Sequence, residues 1–201
     1  MITDYASLVD AITDQLDDAG LADSAPLFIQ LAEAMFNRRL HTLDCEGTAT
    51  ATAAAQVALP ADFKGLRTVW LDDYGPLAQL GPDDFQQLYR EDTSTGVPVH
   101  YSLFSGTLNL GPLPDAAYTI NLTYLRTLTA LSDSSTSNWL LEQHPDLYLY
   151  ASLLHAEFRG WNDDRLPMLN SAVEGLLAEI NAHDARKRLG NRVADVAGAY
   201  F

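Results

Sequence analysis

The residue combinations able to do chemistry are few, and each lacks a necessary companion. Ser105 lies in Phe-Ser-Gly-Thr. That is outside the Gly-x-Ser-x-Gly frame that exposes a nucleophile, and it reads as a hairpin turn. His155 and Glu157 form His-x-Glu, half of a zinc-deaminase signature, but the Pro-Cys-x-x-Cys half is absent and Cys45 is the one cysteine. Positions two apart on a helix also face different ways. His41, Asp44 and Cys45 bring three metal-ligand types together, yet no partner cluster stands at ligand spacing. His144, before Pro145, suits a helix start better than a general base. Asp14, Asp17 and Asp18 read as a solvated face, and Asp163-Asp164 as a helix cap, rather than as magnesium sites. No Gly-rich phosphate cradle is present. Asn121-Leu122-Thr123 matches a glycosylation sequon but falls in a strand pattern. The expectation is no enzyme, no metal and no cofactor.

Charge narrows the partners. Twelve Lys+Arg against 27 Asp+Glu leave a formal charge of −15. Gripping phosphate backbones takes clustered cations, so the chain is a poor nucleic-acid binder. Docking on anionic lipid is disfavoured for the same reason. With 47% hydrophobic residues among 201, the chain can fill the core of one domain or two small ones. A lone cysteine excludes an intramolecular disulfide framework. The Met-Ile-Thr-Asp-Tyr start has neither a basic nor an apolar leader region, so no secretory signal is expected. No apolar run approaches the roughly 18 residues that span a bilayer. An acidic, soluble protein of a reducing compartment is expected.

The elements that would position these groups read helix, strand, helix. Tyr5, Leu8, Val9, Ile12 and Leu16 make one helical stripe, with Thr3 as N-cap and Gly20 just past the end. A second helix starts at Ser24 with Pro26 in its first turn, buries Phe28, Leu31, Ala32, Met35, Phe36 and Leu40, and ends near Arg38 and Arg39. The two should pack as a hairpin. From Thr48 the pattern turns to strand. Val57–Leu59 and Leu66–Leu71 flank a turn, Ser105-Gly106 joins a hairpin, and Tyr118, Ile120, Leu122 and Tyr124 alternate with polar residues. Pro82 opens a short helix through Arg90. These predict a small antiparallel sheet, with Trp70, Tyr101, Tyr118 and Tyr124 mostly in its core. Helix returns with Leu147, Tyr150, Ala151, Leu154 and Phe158. A last helix then carries Leu166, Leu169, Val173, Leu176, Leu177 and Ile180, and Gly175 within it allows a close helix approach. Tyr148 and Trp161 fall off the apolar stripe and are the candidates for a subunit interface.

The expected fold is therefore α+β. Terminal helix pairs form a bundle, and a small antiparallel β domain is inserted between them. The divisions are 1–45 (helical hairpin), 46–130 (β-rich insert), 131–185 (second helical pair) and 186–201 (C-terminal tail). Arg186, Lys187, Arg188 and Arg192 make that tail basic, and Tyr200 and Phe201 end it.

One ordered series of phrases carries a family likeness. It runs Leu59-Pro60-Ala61-Asp62-Phe63, then Gly106-Thr107-Leu108-Asn109-Leu110-Gly111-Pro112-Leu113-Pro114. Ala130-Leu131-Ser132-Asp133, Asn138-Trp139-Leu140-Leu141 and His144-Pro145-Asp146-Leu147-Tyr148-Leu149-Tyr150 follow. Dense over 59–164, the series resembles the head-to-tail adaptor (connector) proteins of tailed bacteriophages. The resemblance implies a structural role in a ring, typically of twelve copies, beneath the portal protein in the virion neck. Such a ring, made in the bacterial host cytoplasm, joins capsid to tail or stopper proteins and passes DNA without binding it specifically. It also implies that the C-terminal segment reaches the portal, which here designates Arg186, Lys187, Arg188, Arg192, Tyr200 and Phe201. The alternatives are a tail-completion or stopper protein of the neck, a phage-borne cell-wall hydrolase using a carboxylate such as Glu142 or Asp164, and a generic acidic binding module.

Overall fold

The computed structural model describes residues 1–16, 21, 23–91, 94–160 and 164–197, with side chains through residue 188. Along the chain the helices are α1 (Tyr5–Thr13), α2 (Ala25–Arg39), α3 (Pro82–Tyr89), α4 (Trp139–Gln143), α5 (Pro145–Gly160) and α6 (Leu166–Ala197). The chain divides into two compact units. One joins Met1–Cys45 to Leu128–Phe201, and the other is Glu46–Thr127.

In the first unit, Asp4 rather than Thr3 caps α1. The Ser7 amide donates to Asp4 Oδ1 at 2.8 Å while the Asp4 amide donates to Ser7 Oγ at 3.0 Å, a reciprocal capping box. A carboxylate one residue later makes the better cap, because it also complements the positive helix end. Ser24 precedes α2, Pro26 lies in its first turn, and Arg38 and Arg39 lie in its last. Its buried face is Ala25, Phe28, Ile29, Ala32, Glu33 and Phe36. Leu31 of the expected stripe is 41% exposed, so the face is turned by about one position.

The central helix is α5, which packs against α1, α2, α4 and α6. Surrounded in this way, it buries Leu147, Tyr148, Ala151, Ser152, Leu153, Ala156 and Glu157, far more than one stripe. Of the expected stripe Leu147 and Ala151 are buried and Leu154 half-buried, but Tyr150 and Phe158 are exposed, whereas Tyr148 is fully buried. In α6, Leu169, Val173, Leu177, Ile180 and Asp184 form the buried edge. Gly175 faces open space, so the close approach expected there does not occur. Arg39 forks onto both carboxylate oxygens of Glu174, tying α2 to α6 and holding that carboxyl below its ordinary value.

Among the described residues the second unit contains two four-stranded sheets and a two-stranded one, not a single antiparallel sheet. The first sheet has the order β1 (Glu46–Thr52), β10 (Thr119–Arg126), β3 (Phe63–Leu71), β4 (Gly75–Pro76). The second is β2 (Gln56–Ala58), β8 (Thr107–Gly111), β7 (His100–Phe104), β5 (Ala78–Gln79). β6 (Thr95–Gly96) and β9 (Leu113–Pro114) pair in parallel, as do β5 and β7. The strands expected around one turn, β2 and β3, thus belong to different sheets. Alternation along β10 puts Ile120 between Ala51 and Leu71, and Leu122 between Ala49 and Val69. These side chains meet Val57, Tyr101, Leu108 and Leu110 of the second sheet in one core. Tyr101 and Tyr124 lie in it, but Trp70 is 49% exposed. Ser105 (φ 55°) and Gly106 (φ 73°) form the hairpin turn between β7 and β8, with both central residues left-handed as a type I′ turn requires.

One glycine here is a close-approach position. A Cβ on Gly111 would lie 2.5 Å from the Tyr89 ring, whose hydroxyl is 2.7 Å from His100 Nδ1. Gly111→Ala should displace that ring and lower stability by about 1–3 kcal/mol, the usual cost of overpacking. A thermal unfolding scan checks it, and an unchanged midpoint would show that Tyr89 moves aside freely.

Candidate assembly interface

The basic residues of 186–188 extend α6 as helix; they do not begin a loose tail, and the helix continues to Ala197. Arg186 and Lys187 are exposed and Arg188 is partly so. Arg188 Nε donates to Asp184 Oδ2 at 2.6 Å, one helical turn back, and Nη2 donates to the His41 carbonyl at 3.0 Å. The other Asp184 oxygen accepts the Leu43 amide at 2.7 Å. Lys187 Nζ stands 3.9 Å from Asp44 Oδ2. Burial alone would push the Asp184 carboxyl up; the Leu43 amide, Arg188 and Lys187 outweigh it and hold the carboxyl below its ordinary value. Beside this cluster lies a groove of about 640 Å³, lined among others by Asp44, His144, Asp146, Glu179, His183 and Arg186. Charges of both signs at one helix end can steer and register a protein partner. Arg192 lies on α6 with its side chain undescribed, and Tyr200 and Phe201 lie outside the described residues.

Tyr148 is not a surface group, and that expectation is corrected. It is 0% exposed, its ring edge-on to Phe36 with centroids 5.1 Å apart. Its hydroxyl accepts from Asn138 Nδ2 at 2.7 Å and donates to Glu33 Oε1 at 3.2 Å. Glu33 Oε1 also accepts the Leu131 amide at 2.8 Å, and Asn138 Oδ1 caps α4 through the Leu141 amide at 2.9 Å. A tyrosine with its hydroxyl satisfied inside the fold satisfies the same chemistry that made it look like an interface residue. Trp161, the other candidate, lies outside the described residues.

Glu33 supplies a pH signature. Burial lifts its carboxyl above the ordinary value, against the Leu131 amide and the Tyr148 hydroxyl, which pull it down. A raised folded-state value means that protonation favours the folded chain. That contribution is complete below 4.5 and fades as pH rises through the folded-state value. Asp184 acts in the opposite sense, its contribution present above 3.8 and lost as pH falls through its lower folded value. Glu33→Gln should therefore flatten the pH profile of unfolding just above 4.5 and leave the more acidic limb in place, which urea midpoints across the acid range measure.

The residues first considered for catalysis are scattered or engaged. Glu157 receives Arg165 Nη1 at 2.7 Å, and the buried His155 Nε2 has no hydrogen-bond partner among the described residues. Burial, with Arg38 nearby, pushes the His155 imidazole below its ordinary value. Cys45 Sγ is 3.4 Å from Thr42 Oγ1, and Asp44 faces Lys187. His144 caps the C-terminus of α4. Among the described residues no three His, Cys, Asp or Glu side chains gather as a metal site, and no helix is long and apolar enough to cross a membrane. Asp184 was missed in the sequence reading. Its spacing of four from Arg188 was a visible signal; its hold on Leu43, 141 residues away, was not.

The family model described as SU10 adaptor protein matches residues 3–195, spanning both compact units. The chain belongs to that family. No curated protein matches the sequence. As an SU10 adaptor protein family member it is a phage adaptor, with a structural role among other phage structural proteins.

Proposed function

We propose that the chain is the ring-forming head-to-tail adaptor of a tailed phage, placed in the virion neck under the portal protein. Copies of it, about twelve as the family resemblance implies, join the capsid vertex to the tail or stopper proteins and enclose part of the DNA channel. The observation that carries this reading is the adaptor-family match running through the helical unit and the inserted β unit alike. The terminal helices close as one bundle around α5. The end of α6 meets the portal through Arg186, Lys187 and Arg188 with Arg192, Tyr200 and Phe201 beyond them, and Trp161 meets the neighbouring copy. Twelve chains at −15 sum to a charge on the order of −180, and acids lining a lumen repel phosphate so that DNA slides through it.

Negative-stain microscopy of the purified chain, alone and mixed with the portal from the same genome, tests the reading. A ring stacked on the portal, with its copy number, is the expected result. Failure to bind a well-formed portal would overturn it and favour the stopper or hydrolase alternatives. In a ring reconstruction, Asp10, Asp14, Asp17 and Asp18 on the outer wall would remove the lumen argument and leave the adaptor role intact.

A further inference from the structure

Two surfaces of this acidic chain carry no acid across their centres, one on each compact unit. The first is the outer side of α2. Opposite its buried face, Leu27, Leu31, Ala34 and Arg38 are exposed at spacings of four, three and four, a single helical stripe. Glu33 is the one acid of α2, and it is buried. Lone exposed leucines are ordinary, but here two lie one turn apart and lead through an alanine to a cation.

The second surface is the bare face of the first sheet. The row Thr50–Asn121–Trp70–Pro76 crosses all four strands, and the row Thr48–Thr123–Thr68 runs beside it. None of these residues is charged, and Trp70 stands about half exposed among them. Two residues beyond Trp70, the exposed Asp72 accepts Asn121 Nδ2 at 2.6 Å, which places its carboxylate on the same face. At the far end of β1, Glu46 is met by Arg67 at 3.3 Å. An uncharged centre around a tryptophan has the composition of an interface core.

Two chains of −15 each repel, so copies can approach closely only where acids are absent or matched. These two surfaces match each other. Ala34 leaves a gap beside Leu31 that an indole ring can fill. Asp72 lies about 7 Å beyond Trp70 in the strand direction, and Arg38 lies about 6 Å beyond Ala34 along the helix. With the ring seated on Ala34, carboxylate and guanidinium stand level.

We propose that the bare sheet face of one copy receives the outer stripe of α2 from the next, Trp70 against Leu31 and Ala34, and Asp72 paired with Arg38. The two surfaces differ, so the contact is heterologous, the kind that repeats head-to-tail and can close into a ring. Its place in the adaptor ring rests on the reading above; the pairing itself rests on the charge and spacing of the chain's own residues. The face is small. About 14 Å of sheet width under about 17 Å of helix gives about 240 Å², against about 800 Å² per partner in a standard interface. Free copies should therefore associate weakly, and a portal that holds them side by side raises their effective concentration.

Exchanging the charges in the full chain tests the pairing. Arg38→Glu and Asp72→Arg each set like charges against one another, so either alone should lower the fraction of portals carrying a closed ring roughly tenfold. Both changes in one chain swap the signs and should restore that fraction to within about twofold. All three variants should keep the wild-type unfolding midpoint, because both side chains are exposed. Rings as frequent in either single variant as in the wild type would overturn the contact and leave the adaptor reading standing. Two defective single variants with no recovery in the double would also overturn it, and would assign these faces to the portal or another partner. If the wild-type chain does not stack on the portal, the adaptor reading falls, and sedimentation of the chain alone at rising concentration decides the contact. Self-association in the wild type and the double variant, but in neither single one, supports it; a wild-type chain that stays monomeric overturns it.

Discussion

Replacing Tyr148 with alanine should destabilise the chain by about 3–5 kcal/mol, the range for removing a large aromatic side chain from a core. The ring lies at 0% exposure against Phe36, and it sits on α5, which packs against α1, α2, α4 and α6. Its hydroxyl bridges Asn138 and Glu33. Tyr148→Phe divides the effect. The ring stays, but Glu33 and Asn138 each lose a buried partner, which costs about 1–3 kcal/mol. Urea unfolding reads both through the midpoint, with the slope unchanged because the surface exposed on unfolding is nearly the same. A Tyr148→Ala protein as stable as wild type would mean that this side chain is not packed as described, and would restore it as a surface group.

Stopping the chain after Asn191 should abolish stacking on the portal while leaving the fold intact. The cut removes Arg192, Tyr200 and Phe201 and spares Asp184, Arg188 and the segment they hold. Aromatic and arginine anchors at protein interfaces each cost about 2 kcal/mol or more when removed, so losing three should weaken binding by roughly 10,000-fold. Cutting at residue 186 instead would also remove Lys187 and Arg188, which bind within the chain, and would confuse docking with folding. Sedimentation with the portal measures the effect. If the shortened chain stacks as well as the full one, the portal contact lies elsewhere.

What could be read in the sequence was whatever repeats locally. The alternation of Tyr118 to Tyr124 revealed β10, Pro26 and the Arg38-Arg39 end bracketed α2, and Ser105-Gly106 fitted its turn. The phase of α5 could not be read this way, because a helix covered on most sides is apolar on most sides and offers no single stripe. Tyr148 was misplaced for that reason. The division of the strands into two sheets was hidden because β2 and β3, neighbours in sequence, take partners about 50 residues later, β8 and β10. At the candidate interface the cations were visible as a cluster. Their acceptors, His41 and Asp44, lie more than 140 residues away, and only the folded chain brings them together.

The β unit is inserted in the helical one, and this sets an order of events during synthesis. Residues 46–127 are contiguous, so that unit has all its strands as soon as Thr127 clears the ribosome. The first helices must wait. Phe28, Ile29 and Phe36 find their cover only when Tyr148 and its neighbours emerge, about 110 residues after Phe36. At about 5–20 residues per second, that is roughly 5–20 s during which an apolar hairpin stands uncovered on a growing chain. Nascent adaptor chains are thus most vulnerable to aggregation, and most in need of a chaperone, after their β unit has folded and before α5 appears.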